Sequence, residues 1–155
     1  MGSGKSRIGF ELASRLGLRF VDLDRSITQR TRKSIAELFE DGEAAFRAVE
    51  LDTLRAVLSR GSGDTFVLSL GGGTLTTPEA LDLVLSHTTS FYLKSDIGHI
   101  RERVGTNTGA RPLYADAQAL LAARASTYER AAFTIEVDDK TPQMIVDEIV
   151  RKLER

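Results

Sequence analysis

The chain begins Met1-Gly2-Ser3-Gly4-Lys5-Ser6, which is the second half of the phosphate-loop pattern G-x-x-x-x-G-K-[ST]. In such a loop, consecutive backbone N–H groups at a helix N-terminus converge on phosphate oxygens. Gly2, Ser3 and Gly4 supply that cradle here, with the glycines allowing close backbone approach. Lys5 is spaced to reach the β- and γ-phosphates of a nucleotide, and the Ser6 hydroxyl to ligate Mg²⁺. The pattern's first glycine would fall two residues before Met1, and no strand precedes the loop. The expectation is therefore a miscalled start, an omitted segment, or a natural truncation with impaired folding and activity.

Other groups of the right type follow. Asp22 and Asp24 end the run Arg19-Phe20-Val21-Asp22 and share a face if that run is a strand of period two. Two carboxylates at a strand's carboxyl end suit a metal's water shell and a substrate hydroxyl. The plainer reading is a helix cap at Asp24 and a solvated acid at Asp22. Gly71-Gly72-Gly73 closes the most apolar run, either as a loose turn or as a backbone surface that a ligand approaches. Arg47, four residues after Glu43, reads by itself as an exposed ion pair. Arg111, before Pro112, suits a lid arginine or a solvated loop charge. Arg124 is uninformative alone, and no role is assigned to His87 or His99.

These groups need a scaffold to position them. A chain of 155 residues with 41% apolar content supports one compact domain with a real core. Twenty-one basic residues against 22 acidic ones give a net charge of -1, which argues against a nucleic-acid or membrane surface as the main partner. The absence of cysteine excludes disulfides, thiolate metal sites and a cysteine nucleophile. No apolar run reaches membrane-span length, so a cytoplasmic location is expected. Met1-Gly2 with Ser6 matches the myristoylation pattern formally, but the phosphate loop uses the same residues.

Ile8, Leu12 and Leu16 recur at helical spacing and Gly17 suits a left-handed helix end. Ser34 with Glu37 predicts a capping box, and the helical stretch it opens breaks at Asp41-Gly42 and resumes through Leu51, Leu54, Val57 and Leu58. Thr65 to Leu70 reads as a strand buried on both faces. Thr77-Pro78-Glu79 opens a helix to about His87. Ser90 to Leu93 is the next strand, and Ser95 is expected to cap a helix carrying Ile97, Ile100 and Val104. Gly105 to Ala110 reads as a mobile loop by composition. A helix from about Ala117 to Ala131, a strand Phe133 to Val137, and a helix from Thr141-Pro142 with Ile145, Ile149 and Leu153 inward complete the chain. Strands alternating with helices predict an α/β fold with a parallel sheet.

Taken together, Gly2 to Ser6, Phe20-Val21-Asp22-Leu23-Asp24, Ser34 to Phe39, Gly42-Glu43 with Phe46-Arg47, Leu70 to Gly73 and Arg111-Pro112-Leu113 resemble shikimate kinase in order and spacing. The resemblance implies a P-loop kinase sandwich of strand order 2-3-1-4-5 with its first strand absent from this chain, in one domain with a lid at about 104–117. It implies transfer of the ATP γ-phosphoryl group to the 3-hydroxyl of shikimate, with ATP and Mg²⁺ bound and a monomeric state. Asp24 then orients that hydroxyl, Asp22 contacts Mg²⁺ through water, and Arg47 and Arg124 grip the shikimate carboxylate. Gly71, Gly72 and Gly73 line the acceptor pocket. Arg111 is the lid arginine on the phosphates, Arg103 borders adenine, and Lys140 lies on the adenine side. Arg7 departs from the resemblance, standing beside the α-phosphate where a small hydroxyl residue is usual. Gluconate kinases share the phosphate loop, but Arg25-Ser26-Ile27 does not match their Leu-His-Pro segment. A non-catalytic ligand-sensing relative of the same fold is the alternative reading, as is another small-molecule kinase.

Overall fold

The computed structural model describes residues 4–60, 63–95 and 111–154. They divide between two compact units, one spanning Lys5–Thr88 and the other built mainly from Thr89–Arg155. The first unit holds α1 (Lys5–Leu16), β1 (Arg19–Asp22), α2 (Leu23–Thr31), α3 (Ile35–Glu40), α4 (Glu43–Arg60), β2 (Phe66–Ser69), a 3₁₀ turn (Thr74–Thr76) and α5 (Pro78–His87). The second holds β3 (Phe91–Lys94), α6 (Arg111–Tyr128), β4 (Phe133–Glu136) and α7 (Pro142–Leu153). Among the described residues, no helix is long and apolar enough to cross a membrane.

Local sequence rules account for most boundaries. Helix α1 buries Ile8, Leu12 and Ala13 and ends at Gly17, whose φ of 67° is left-handed. The Leu18 N–H then returns to the Ala13 carbonyl at 2.8 Å, satisfying an otherwise orphaned acceptor. The Ser34–Glu37 capping box is present in both directions at α3. Gly42, at φ 98°, turns the chain from α3 into α4. Pro78 opens α5 where no helical N–H is required, and the Thr141 hydroxyl caps α7 by accepting from the Met144 N–H.

Strand β1 pairs with β2 in parallel, Arg19 opposite Phe66 through Asp22 opposite Ser69. Strand β3 pairs with β4 in parallel, Phe91 opposite Phe133 through Lys94 opposite Glu136. These are the 2-3 and 4-5 pairs of the expected order. The core of the first unit gathers Leu23, Ile27, Leu38, Phe46, Leu51, Leu54, Ala80 and Val84 from four helices. In the second unit Ile135, Val137, Ile145, Val146 and Ile149 are buried.

Three expectations need correction. The Thr65–Leu70 run is half-buried at Phe66, Val67 and Leu68 rather than buried on both faces. Its ladder lies only on the β1 side among the described residues. Helix α6 begins at Arg111, not Ala117, and ends at Tyr128, not Ala131. Pro112 is tolerated in a first turn, and at the other end the Arg130 and Ala131 N–H groups tighten onto Thr127 and Tyr128 in i→i+3 bonds. Leu153, expected inward, is 42% exposed at the end of α7. The helix expected after Ser95 and the loop Gly105 to Ala110 lie outside the described residues. Ser95 itself donates its hydroxyl to Asp138 Oδ1 at 2.6 Å.

Leu54 is fully buried in the first unit's core. Leu54→Ala is expected to lower the unfolding free energy by about 2–5 kcal/mol through lost transfer energy and a residual cavity. Urea denaturation checks this, and a loss below about 1 kcal/mol would show that the core collapses around the gap.

Candidate active site

The site residues of the first unit are set by where β1 stops. Asp22 has extended backbone (φ −103°, ψ 122°), and its Oδ1 accepts from the Arg25 N–H at 3.1 Å, which caps α2. Asp22 Oδ2 accepts from the Ser6 hydroxyl at 2.7 Å, and its carbonyl accepts from the Ser26 hydroxyl at 2.9 Å. Asp24 therefore lies in the first turn of α2, not on a strand. That corrects both readings drawn from the sequence. The shared-face argument fails because the chain is helical from Leu23, and the capping residue is Asp22 rather than Asp24.

Both acids nevertheless act on Lys5, the first residue of α1, and Asp22 acts on Asp24. Burial pushes the Lys5 ammonium below the usual lysine range, and the charges of Asp24 and Asp22 partly restore it. Asp24 is exposed at its surface, yet its surroundings hold its carboxyl above the usual aspartate range. Partial burial is the largest cause, followed by the negative charges of Asp22 and Glu50, with Lys5 and Arg47 opposing. Gly4, immediately before α1, is left-handed at φ 76°, a conformation that favours glycine.

Arg47 projects from α4 with its side chain only 15% exposed. Its Nη1 donates to Glu50 Oε2 at 2.7 Å, and its Nη2 to Glu43 Oε1 at 3.2 Å. The Glu43 pair is solvated and holds little, whereas Glu50 is buried. The guanidinium also lies 5.2 Å over the Phe46 ring, which stacks on Phe39 at 4.3 Å. It rests directly against Gly73, where any Cβ would overlap it. A Cβ at Gly71 would stand 3.0 Å from Asp24 Oδ1, 3.1 Å from Thr74 Oγ1 and 3.2 Å from Glu50 Oε1. Both glycines are thus places where the side chains of Asp24, Glu50 and Arg47 approach bare backbone, which the loose-turn reading does not provide for. Gly72, between them, is half-buried.

Glu50 and Thr74 are the residues that sequence reasoning missed. Glu50 is 2% exposed and bonds both Arg47 and Thr74. Its only sequence signal is the i,i+3 spacing from Arg47, which most often marks a solvated pair.

The remaining candidates are placed differently. Arg7 pairs with Glu11 at 2.9 Å on the exposed face of α1. Arg124 is half-buried on α6 and Lys140 binds Glu148 at 2.6 Å, both in the second unit. Arg111 opens α6. Gly2, Ser3 and Arg103 lie outside the described residues. No group of three or more His, Cys, Asp or Glu side chains forms a metal cage among the described residues. Ser6 and Asp22 are hard oxygen donors in direct contact, which fits Mg²⁺. That ion takes one or two protein groups and fills its octahedron with water and phosphate.

A family profile described as "Shikimate kinase" matches residues 1–154. The chain is 43% identical to "Shikimate kinase" of Chlorobium chlorochromatii, covering 99% of this chain and 87% of that protein. It is 44% identical to that of Mycobacterium avium (98% and 88% covered) and 41% identical to that of Thermus thermophilus (100% and 86%). In structure it superposes with a TM-score of 0.88 on the shikimate kinase of Acinetobacter baumannii in complex with shikimate, at 28% identity over 99% of this chain and 88% of that one. Against the Bacteroides thetaiotaomicron enzyme the TM-score is 0.86, at 26% identity over 100% and 94%. A phosphate-loop lysine beside paired aspartates, and an arginine laid across a triple glycine, are thus found in a chain that belongs to the shikimate kinase family.

Proposed function

We propose that this chain transfers the γ-phosphoryl group of ATP to the 3-hydroxyl of shikimate, giving shikimate 3-phosphate and ADP on the way to the aromatic amino acids. The observation that carries this reading is the convergence of Lys5, Asp24 and Arg47 through Gly71, Gly73 and Glu50 within one unit. Phosphoryl transfer asks a protein for alignment and charge neutralisation more than covalent chemistry. Asp24 supplies an acceptor for the attacking hydroxyl's proton, and its raised pKa suits a group that takes a proton during reaction. Lys5 sets a cation against the transferring phosphoryl oxygens, and its lowered pKa reflects the desolvation that strengthens such contacts.

Arg47 keeps a guanidinium held on one side by buried Glu50 and on the other only by solvated Glu43, whose place the acceptor carboxylate takes. Arg124 is likewise assigned to the shikimate carboxylate. Ser6 and, through water, Asp22 would hold Mg²⁺, which when bound would supply positive charge to neutralise the nucleotide phosphates. Gly2, Ser3, Gly4, Arg7, Arg103, Arg111 and Lys140 are assigned to the nucleotide, with Arg111 also acting on the transferring phosphate. The protein works as a cytoplasmic monomer of one kinase domain.

A coupled ADP-release assay with ATP, Mg²⁺ and shikimate tests the activity, with gluconate as control acceptor. ADP release independent of shikimate, or none, would overturn it. Asp24→Asn is expected to cut kcat by about 10²–10⁴-fold while the ATP KM stays within about threefold. Equal loss of both would refute the assigned role. Arg47→Ala is expected to raise the shikimate KM by about tenfold or more, since each charge-assisted hydrogen bond contributes about 1.5–3 kcal/mol. Initial rates over a shikimate series check this.

The Asp24 shift also has a stability consequence. A carboxyl whose folded pKa exceeds its unfolded value binds more protons folded than unfolded, so it costs stability as pH rises through that window. Asp24→Asn is therefore expected to melt above the parent at about pH 7, with the gap closing towards about pH 4, near the unfolded aspartate pKa. Melting curves at the two pH values decide it, and a variant less stable at the higher pH contradicts the shift.

A further inference from the structure

Thr74 is completely buried, at 0% exposure. A hydroxyl removed from water needs a partner, and its Oγ1 donates to Glu50 Oε1 at 2.7 Å. Glu50 is itself 2% exposed, and its other oxygen, Oε2, accepts from Arg47 Nη1 at 2.7 Å. The two oxygens of one buried carboxylate are thus divided between a neutral donor and a cation.

The turn explains why the hydroxyl arrives there. The Thr74 N–H returns to the Gly71 carbonyl at 3.3 Å, so the residue following the triple glycine folds back over its first member. Glutamate's terminal torsion is broad and soft, and one hydrogen bond does not fix it. With Thr74 on one oxygen, the carboxylate plane is set, and with it the direction in which Nη1 is held. Exposed Glu43 exerts little hold on the same guanidinium. Among the described residues, Arg47 Nε is buried with no hydrogen-bond partner, so the orientation of the fork depends on the Glu50 contact, the Phe46 face and Gly73.

We infer that Thr74 is a positioning residue for the acceptor site: through Glu50, its hydroxyl fixes the rotamer in which Arg47 presents its guanidinium. That the presented partner is the shikimate carboxylate rests on the function proposed above. The positioning itself does not.

Thr74→Val keeps the branched shape and removes the donor. It is expected to raise the shikimate KM about five- to twentyfold, with the ATP KM and kcat within about twofold, because the loss falls on acceptor binding alone. Thr74→Ser is expected to restore the parent value within about twofold, since it returns the hydroxyl. An unchanged shikimate KM, parallel changes in both KM values, or failure of serine to rescue would each overturn the inference.

A substrate-free readout separates this from the functional reading. The Arg47 Nε–H signal in ¹⁵N NMR, assigned with Arg47→Lys, should exchange with water about tenfold faster in Thr74→Val than in the parent or Thr74→Ser, as the buried group is released. Equal exchange rates overturn the positioning role even if shikimate is the substrate. A parent inactive on shikimate that shows the exchange difference would refute the functional reading alone. Thr74→Ala, which cannot overpack the site, carries both measurements if the valine variant does not fold.

Discussion

The Lys5–Thr88 unit is organised around the carboxylate of Asp22. One oxygen caps α2, which stops β1 and starts the helix carrying Asp24. The other oxygen takes the Ser6 hydroxyl and so ties the N-terminus of α1 to the N-terminus of α2. Two helix N-termini, each with unsatisfied N–H groups and a partial positive charge, are thereby brought to one anionic side chain. Remove that carboxylate and both the Ser6 hydroxyl and the helix turn that carries Asp24 lose their common anchor.

Charge placement follows from that anchor. Burial shifts Lys5 and Asp24 each towards its neutral form; the charges of Asp22 and Glu50 reinforce the shift at Asp24, while Asp24 and Asp22 oppose it at Lys5. Fixed charges held in partial burial act more strongly than they would in water, and they require no rearrangement as a phosphoryl group moves. The same arrangement is unfavourable for the folded state, as expected where like charges are gathered for chemistry. The helical core beneath it, with Leu23, Ile27 and Leu54 fully buried, supplies the offsetting stability.

Bare backbone has an equally specific part. At Gly73 the Arg47 side chain from α4 crosses the loop after β2 with no room for a Cβ, and at Gly71 the side chains of Asp24 and Glu50 would leave one only tight contacts. Gly73 is therefore a packing requirement of Arg47, and Gly71 is favoured by the close approach of Asp24 and Glu50.

The sequence alone determined what depends on neighbours along the chain. The phosphate-loop ending, the capping box, the Gly17 and Gly42 breaks, the proline-led helices and the parallel α/β class were legible because caps, turns and periodicity act within a few residues. Candidate residues could likewise be named by type and spacing. Asp24 was assigned to a strand because no local signal told whether Asp22 would continue the strand or cap a helix; a hydroxyl 16 positions earlier settles on the same carboxylate. Glu50 and Thr74, 24 positions apart, looked ordinary because burial and pairing are properties of the packed state. Only tertiary structure decided which charges are desolvated, which oxygen each donor takes, and which glycine an arginine lies against, since those depend on residues far apart in the chain being held within a few ångströms.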